Sequence, residues 1–295
     1  SLTAVTAGTS TAVQTMYEEN PYPRWHHLDD RPPQELSRSL RELTGGGFDP
    51  PEFLQRPRLL VAGCGTGREL LAAATTWRPA SITGFDLSRA SLAYASLMAD
   101  RLGVEVDLCQ ADLLALGTWD RQFDAIVCTG VLHHLDDPMA GWRVLVRLLR
   151  PGGVMLVGLY SERARAGIKV ARTDVRDAGW PPTPEGIREA RTQIMELPPE
   201  HPGRDCTRLG DFYYLSGCRD MLFHVREHSF TLSEVADALE EVGLEFCGFA
   251  TDDTVRRLYR TLFGAGQRVD YWDTLERLYP RVFLGMYQFW CRRPG

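Results

Sequence analysis

The stretch Arg58-Leu-Leu-Val-Ala-Gly-Cys-Gly-Thr-Gly-Arg-Glu69 constrains this chain more than any other. Leu59 to Ala62 is a short apolar run of the kind that forms a parallel strand covered on both faces. It feeds Gly63, Gly65 and Gly67, spaced at every second position, and a helix opens near Glu69. Without side chains the backbone there can turn sharply and let a ligand lie close to the peptide planes. A glycine triplet alone is a weak signal. Its support is Asp86, which ends a second apolar run, Ile82 to Phe85. It stands about 20 residues past the last glycine, where a mononucleotide-binding unit places the carboxylate that accepts hydrogen bonds from ribose hydroxyls. The spacing is Gly-x-Gly-x-Gly and not the Gly-x-Gly-x-x-Gly that cradles a pyrophosphate, so phosphate binding is not favoured.

Further strands are expected at Val104 to Cys109, Phe123 to Cys128 and Val154 to Leu159, with a helix capped by Ser88 and stopped by Gly103 between the second and third. Strands alternating with helices demand an α/β fold with a doubly wound parallel sheet, whose ligands lie at the carboxyl ends of the strands. At 295 residues, with 44% apolar and 24% charged residues, the chain suits one such core with substantial additions. A net charge of −6 argues against broad nucleic-acid binding. No apolar run is long enough to span a membrane and no signal peptide is evident, so a cytoplasmic location with no membrane partner is expected. None of the seven cysteines forms a Cys-x-x-Cys pair, which points to reduced, mostly buried thiols.

At the next two strand ends stand Gln110-Ala111-Asp112-Leu113-Leu114 and Cys128-Thr129-Gly130-Val131-Leu132-His133-His134-Leu135. With these motifs in this order, Arg58 to Tyr160 resembles the class I S-adenosylmethionine-dependent methyltransferases, and Arg150-Pro151-Gly152-Gly153 matches that family's turn before strand five. The resemblance implies a Rossmann-like sheet of seven strands, the last, fitted to Val282 to Cys291, running antiparallel beside strand six at Leu244 to Phe249. It also implies S-adenosylmethionine as cofactor and S-adenosylhomocysteine as product. Gly63, Cys64, Gly65 and Gly67 would wrap the methionine end, with Thr129 and Gly130 beside them. Asp86 would hold the ribose and Asp112 the adenine amino group, with Leu87 and Leu113 on the ring. The family commonly has an acid two places before the first glycine, where this chain has Val61, so the methionine end needs another anchor; backbone carbonyls near Ala62 and Gly130, or Tyr17 and Arg24, are candidates.

The segment carrying them, Asn20-Pro21-Tyr22-Pro23-Arg24-Trp25, is held extended by its prolines and reads either as an arm packed on the core or as a lid over the cofactor. Tyr17 to Trp25, and the aromatic stretch from Asp211 to His228, resemble the bacterial subgroup in which such domains are fused to tetratricopeptide repeats; no internal repeat is visible here. Four parts are expected: an N-terminal helical lid over 1–50, a cofactor-binding core over 51–160, a helical insertion capping the acceptor over 161–228, and the rest of the core over 229–295. In the insertion, Arg165, Lys169, Arg172 and Arg176 share one helical face, either solvated or docking an anionic acceptor. His224-Val-Arg-Glu-His228 matches a His-x-x-Glu-His zinc pattern on a helix, but no zinc-peptidase framework surrounds it and no metal is expected.

The expected reaction is methyl transfer to an O or N atom of a small molecule or a peptide end. His133 or His134 would take the acceptor's proton, and Tyr160 would offer it a hydrogen bond. Tyr22, Trp25, Tyr213, Arg219, His224 and His228 are the expected acceptor contacts. The Asn/Asp-Pro-Pro-Tyr/Phe motif of nucleic-acid amino methylation is replaced by Thr129-Gly130-Val131-Leu132, so no nucleic acid is expected as acceptor. The competing possibility is a noncatalytic cofactor-binding partner protein, supported by Val61 alone. The acceptor's identity and the oligomeric state are not legible.

Overall fold

The computed structural model describes residues 1–3, 9–29 and 32–295, and the remaining parts of the expected N-terminal lid lie outside them. Among the described residues seven strands form one sheet in the order β3-β2-β1-β4-β5-β7-β6. They are β1 (Arg58–Ala62), β2 (Ser81–Asp86), β3 (Asp107–Gln110), β4 (Phe123–Thr129), β5 (Leu149–Leu159), β6 (Glu245–Phe249) and β7 (Tyr287–Arg292). The first five are parallel, and β7 lies between β5 and β6, antiparallel to both. This is the Rossmann-like methyltransferase sheet expected. β7 starts at Tyr287 and not Val282, because residues 280–285 form turns. Arg150 to Gly153 does not precede β5 but lies within it, where the pairing to β4 jumps from Leu149 to Val154.

The helices are α1 (Thr9–Glu19), α2 (Leu36–Thr44), α3 (Arg68–Trp77), α4 (Arg89–Leu102), α5 (Pro138–Leu148), α6 (Ala166–Asp177), α7 (Pro184–Glu196), α8 (Leu215–Phe223), α9 (Leu232–Glu241), α10 (Asp253–Phe263) and α11 (Val269–Leu278). Strand side chains alternate between faces, and β1 shows it: Leu59 and Val61 pack with Leu36, Leu40 and Leu70, while Leu60 and Ala62 pack with Trp142, Leu145 and Phe289. The β1 acid position is thereby a buried core position, which suits valine. Residues of α6, α7 and α8 form a separate apolar cluster around Ile168, Ile187 and Phe212, so the insertion has a core of its own. Trp25 packs with Leu71 and Met98, fastening the proline-rich arm to α3 and α4.

Two expectations in the insertion are corrected. Arg165 and Arg172 are neither solvated nor free to dock an anion: both bind Glu227, at 2.7 and 3.0 Å, while Lys169 and Arg176 pair with Glu162 and Asp177. The His-x-x-Glu-His segment is not helical, because α8 ends at Phe223 and 224–229 runs extended. Glu227 is spent on the two arginines and cannot act as the acid of a zinc site. The cysteines are all unpaired, and all but Cys109 are buried. Among the described residues no helix is long and apolar enough to cross a membrane.

Candidate active site

A cavity of about 870 Å³ opens at the carboxyl ends of β1, β2 and β4, with α1, the arm and the insertion forming its remaining walls. Gly63, Cys64 and Gly65 line it, but the space left by the missing side chains is largely taken by protein. A Cβ on Gly63 would stand 2.3 Å from Val131 Cγ2, and one on Gly65, 2.5 Å from the Tyr22 carbonyl oxygen. Gly67, expected at the cofactor, does not line the cavity; a Cβ there would meet Ala95 Cβ at 2.7 Å, so this glycine serves the packing of α3 on α4.

The arm is therefore seated on the glycine loop. Thr66 N–H donates to the Tyr22 carbonyl at 3.2 Å, and the Trp25 indole N–H donates to the Thr66 carbonyl at 3.2 Å. Glu18 accepts from the backbone N–H groups of Arg89 and Ala90 at 2.7 and 2.9 Å, placing a carboxylate on the open first turn of α4. Tyr17, Tyr22, Arg24 and Trp25 all face the cavity.

At the β2 end, Asp86 accepts from Gly65 N–H at 2.8 Å and Ser88 N–H at 2.9 Å, which orients its carboxylate and leaves a lone pair on each oxygen. Burial raises its pKa, against those backbone bonds. At the β3 end, Asp112 is 2% exposed; Oδ1 accepts from Leu114 N–H at 3.0 Å, and buried Oδ2 has no partner among the described residues. A buried acceptor left unpaired is costly unless a ligand donates to it. Leu87 and Leu113 line the same part of the cavity. Thr129 and Gly130 line it at the β4 end, where the Thr129 hydroxyl donates to Glu69. Glu69 faces the cavity from the first turn of α3, its pKa raised by burial against the Thr129 bond. It is an acid beside the glycine loop that the β1 pattern did not disclose; its one sequence signal is a carboxylate two places after the last glycine.

The other end is built of aromatic rings and two carboxylates. Tyr17 donates to Asp220 at 2.6 Å, and Asp211 accepts from Tyr22 at 3.0 Å and from Tyr214. Burial lifts the Asp220 carboxyl to about 7 despite the Tyr17 bond. His134 and His224 stack with centroids 3.6 Å apart, and the backbone of one residue, Arg226, orients both rings. His134 Nδ1 lies 2.7 Å from the Arg226 carbonyl, so it carries the hydrogen and leaves Nε2 a lone pair. His224 Nδ1 accepts from Arg226 N–H at 3.1 Å, so in the neutral ring Nε2 is a donor. His134, Asp220 and His224 each offer an atom within 4.8 Å of the others, but a ring whose free nitrogen bears hydrogen is no ready metal ligand. Burial lowers both histidine pKa values, that of His224 to about 3.

His134 and Tyr160 line the cavity; His133 does not. It is fully buried behind them, 3.9 Å from the Tyr160 ring, and cannot reach an acceptor. Among the expected acceptor contacts, Tyr213 is 57% exposed and lines a separate groove, and Arg219 is turned away to Glu19 and the Met16 carbonyl. His228 donates its N–H to the His133 carbonyl and stays behind the wall, with His224. Asp211, Asp220 and Tyr214 are cavity residues that pattern reading missed, since nothing local marks them as facing the same space as β4.

Sheet order, glycine loop and the two strand-end acids are those of the Rossmann-like methyltransferase fold, and residues 60–157 match a family model described as a methyltransferase domain. An uncharacterised protein of Synechococcus sp. is 30% identical over 262 residues, covering 82% of this chain and 60% of that protein. A ubiquinone biosynthesis O-methyltransferase of Alkalilimnicola ehrlichii is 40% identical over 114 residues, covering 38% of this chain and 45% of that one. This chain thus spans about half to three-fifths of the length of these relatives. The solved structure of PKMT2 from Rickettsia typhi in complex with AdoHcy shares the fold with a TM-score of 0.64 at 18% identity, over 90% of this chain and 55% of that one.

Proposed function

We propose that the protein transfers a methyl group from S-adenosylmethionine to an O or N atom of a small molecule or a peptide. The observation that carries this is one continuous cavity joining a nucleoside-type end, at Asp86 and Asp112, to an acceptor end at His134 and Asp220. The residues fit the cofactor: Asp86 has free lone pairs for a ribose, Asp112 Oδ2 is a buried acceptor awaiting a donor, and Leu87 and Leu113 offer apolar surface for a base. Glu69 would hold the methionine ammonium that Val61 cannot. When bound, the cofactor supplies a methyl group already activated by its sulfonium. What remains for the protein is to align the acceptor, exclude water and take a proton. His134 Nε2, held neutral, accepts a hydrogen bond from the acceptor and aims its lone pair; Asp220, titrating near neutrality, takes the proton. Tyr160 closes the wall beside them.

In this proposal residues 1–50 act as the lid, 51–160 as the cofactor core, 161–228 as the acceptor cap and 229–295 as the completion of the sheet. The acidic net charge supports an enzyme that does not act on nucleic acid, and a cytoplasmic location is part of the same proposal. Membership of the tetratricopeptide-associated subgroup is supported by the Tyr17 to Trp25 string. A noncatalytic partner protein was favoured only by Val61, and Glu69 removes that support. The test is calorimetric titration with S-adenosylmethionine and S-adenosylhomocysteine. Micromolar binding is expected, weakened about 10- to 100-fold in Asp86→Ala, the scale of ~1.5–3 kcal/mol for hydrogen bonds to a charged group. Equal binding by the variant would overturn the site.

A further inference from the structure

We infer that the acceptor end is a site for an aliphatic amine, bound as its ammonium ion between Asp211 and Asp220 under the rings of Tyr17, Tyr22 and Tyr214. This deepens the methyltransferase proposal and rests on it for the position of the donor. The first observation is an imbalance of charge. Asp220 is 5% exposed and Asp211 is half-buried, yet among the described residues no arginine, lysine or histidine forms an ion pair with either. Neutral phenols alone donate to them. Carboxylates withdrawn from water are normally paired with a cation.

Three arginines on neighbouring elements are committed elsewhere. Arg165 makes two bonds to Glu227, Arg172 binds Glu227 and two backbone carbonyls, and Arg219 binds Glu19. The second observation is the wall itself. Tyr17 and Tyr22 stack with centroids 6.5 Å apart, and Tyr214 is tied to the same Asp211 as Tyr22. Ring faces beside carboxylates attract an ammonium ion. An anionic acceptor would meet two like charges, and a neutral alcohol would leave both carboxylates unpaired.

The reaction then balances within the site. The ammonium gives one proton to the Asp220 carboxylate. The freed nitrogen lone pair forms the bond to the methyl carbon while the carbon–sulfur bond breaks and leaves its electron pair on sulfur. The product is a methylated ammonium ion, again a cation between two acids.

The sulfonium is also cationic and would compete for these carboxylates, so the test uses S-adenosylhomocysteine, whose sulfur is neutral. Full-length protein saturated with it is titrated calorimetrically with butylamine, butanol and butyrate, and with a short peptide bearing one lysine. Butylamine, the lysine peptide or both should bind at least tenfold more tightly than the alcohol and the carboxylate; which of the two amines binds better separates a small-molecule source from a peptide. Asp211→Asn and Asp220→Asn should each weaken the amine about tenfold or more while S-adenosylhomocysteine still binds, which certifies the fold. Tyr214→Phe, a smaller perturbation, should weaken the amine and not the alcohol. The proposal is overturned if the alcohol or carboxylate binds as well as both amines, if neither amine binds the saturated protein, or if the asparagine variants lower affinity for S-adenosylmethionine alone. Failure of S-adenosylhomocysteine to bind the unaltered protein would instead overturn the cofactor site, and amine binding measured without it would still decide the amine site.

Discussion

Glu69 places at the start of α3 a cavity-facing carboxylate of the kind the family pattern puts on β1, without a charge in the sheet core. If it holds the methionine ammonium, Glu69→Gln should weaken S-adenosylhomocysteine about tenfold. Affinity for 5′-methylthioadenosine, which lacks the amino-acid end, should be unchanged. Competition binding of both ligands to both proteins measures this, and equal losses for the two would assign Glu69 a structural role. Asp220 makes a second prediction. Its pKa rises from an ordinary 3.8 to about 7 through burial, so the folded state binds a proton that the unfolded chain has released. The stability it contributes is complete below about 3.8 and is lost as pH climbs through about 7. Asp220→Asn does not titrate. Its stability, followed through the melting temperature, should therefore gain on the unaltered protein between about pH 4 and 7 and level off above, by up to ~1.4 kcal/mol per pKa unit. Melting curves that run parallel across that range would remove the shift. Asp86 was legible because it ends a strand at a fixed offset from the glycines, and Asp112 because it follows β3 in the family's order of motifs; Glu69, Asp211 and Asp220 were not, because their common cavity is made by tertiary contacts.

At the scale of elements, the arm and α1 bind the loop and α4 through hydrogen bonds that no local pattern encodes. The prolines announced a stiff segment; its seat on Thr66 and on the first turn of α4 could be seen only once the chain was folded. Glu18→Ala removes the carboxylate from that turn, although Ser88 still caps it. The expected cost is ~0.5–2 kcal/mol, felt where the arm docks. Release of S-adenosylhomocysteine should quicken several-fold, and backbone amides of 17–25 should exchange faster while those of β4 do not. Stopped-flow displacement and hydrogen exchange read the two effects. An unchanged release rate would mean that the arm is wall and not lid.

For the whole molecule, the strand and helix alternation was sufficient to place the parallel sheet, since each apolar run had one role open to it. The insertion was harder. Its basic spacing correctly described a helical face, but Arg165 and Arg172 turn inward onto Glu227 while Lys169 and Arg176 stay at the surface, and the approach of Glu227 depends on a non-helical segment that the helix-like histidine spacing disguised. The insertion's separate core means that it can vary while the sheet stays the same, which is how one cofactor half can serve many acceptors. The seat of the arm also changes how tolerance to substitution around the loop is to be interpreted. The volume missing at Gly65 is filled by the Tyr22 carbonyl and that at Gly67 by Ala95, so selection for glycine there reports crowding of the chain against itself. Intolerance at those two positions would persist in a descendant that had abandoned its small-molecule partner, whereas drift at Asp112, with its idle oxygen, would be the earlier mark of that loss.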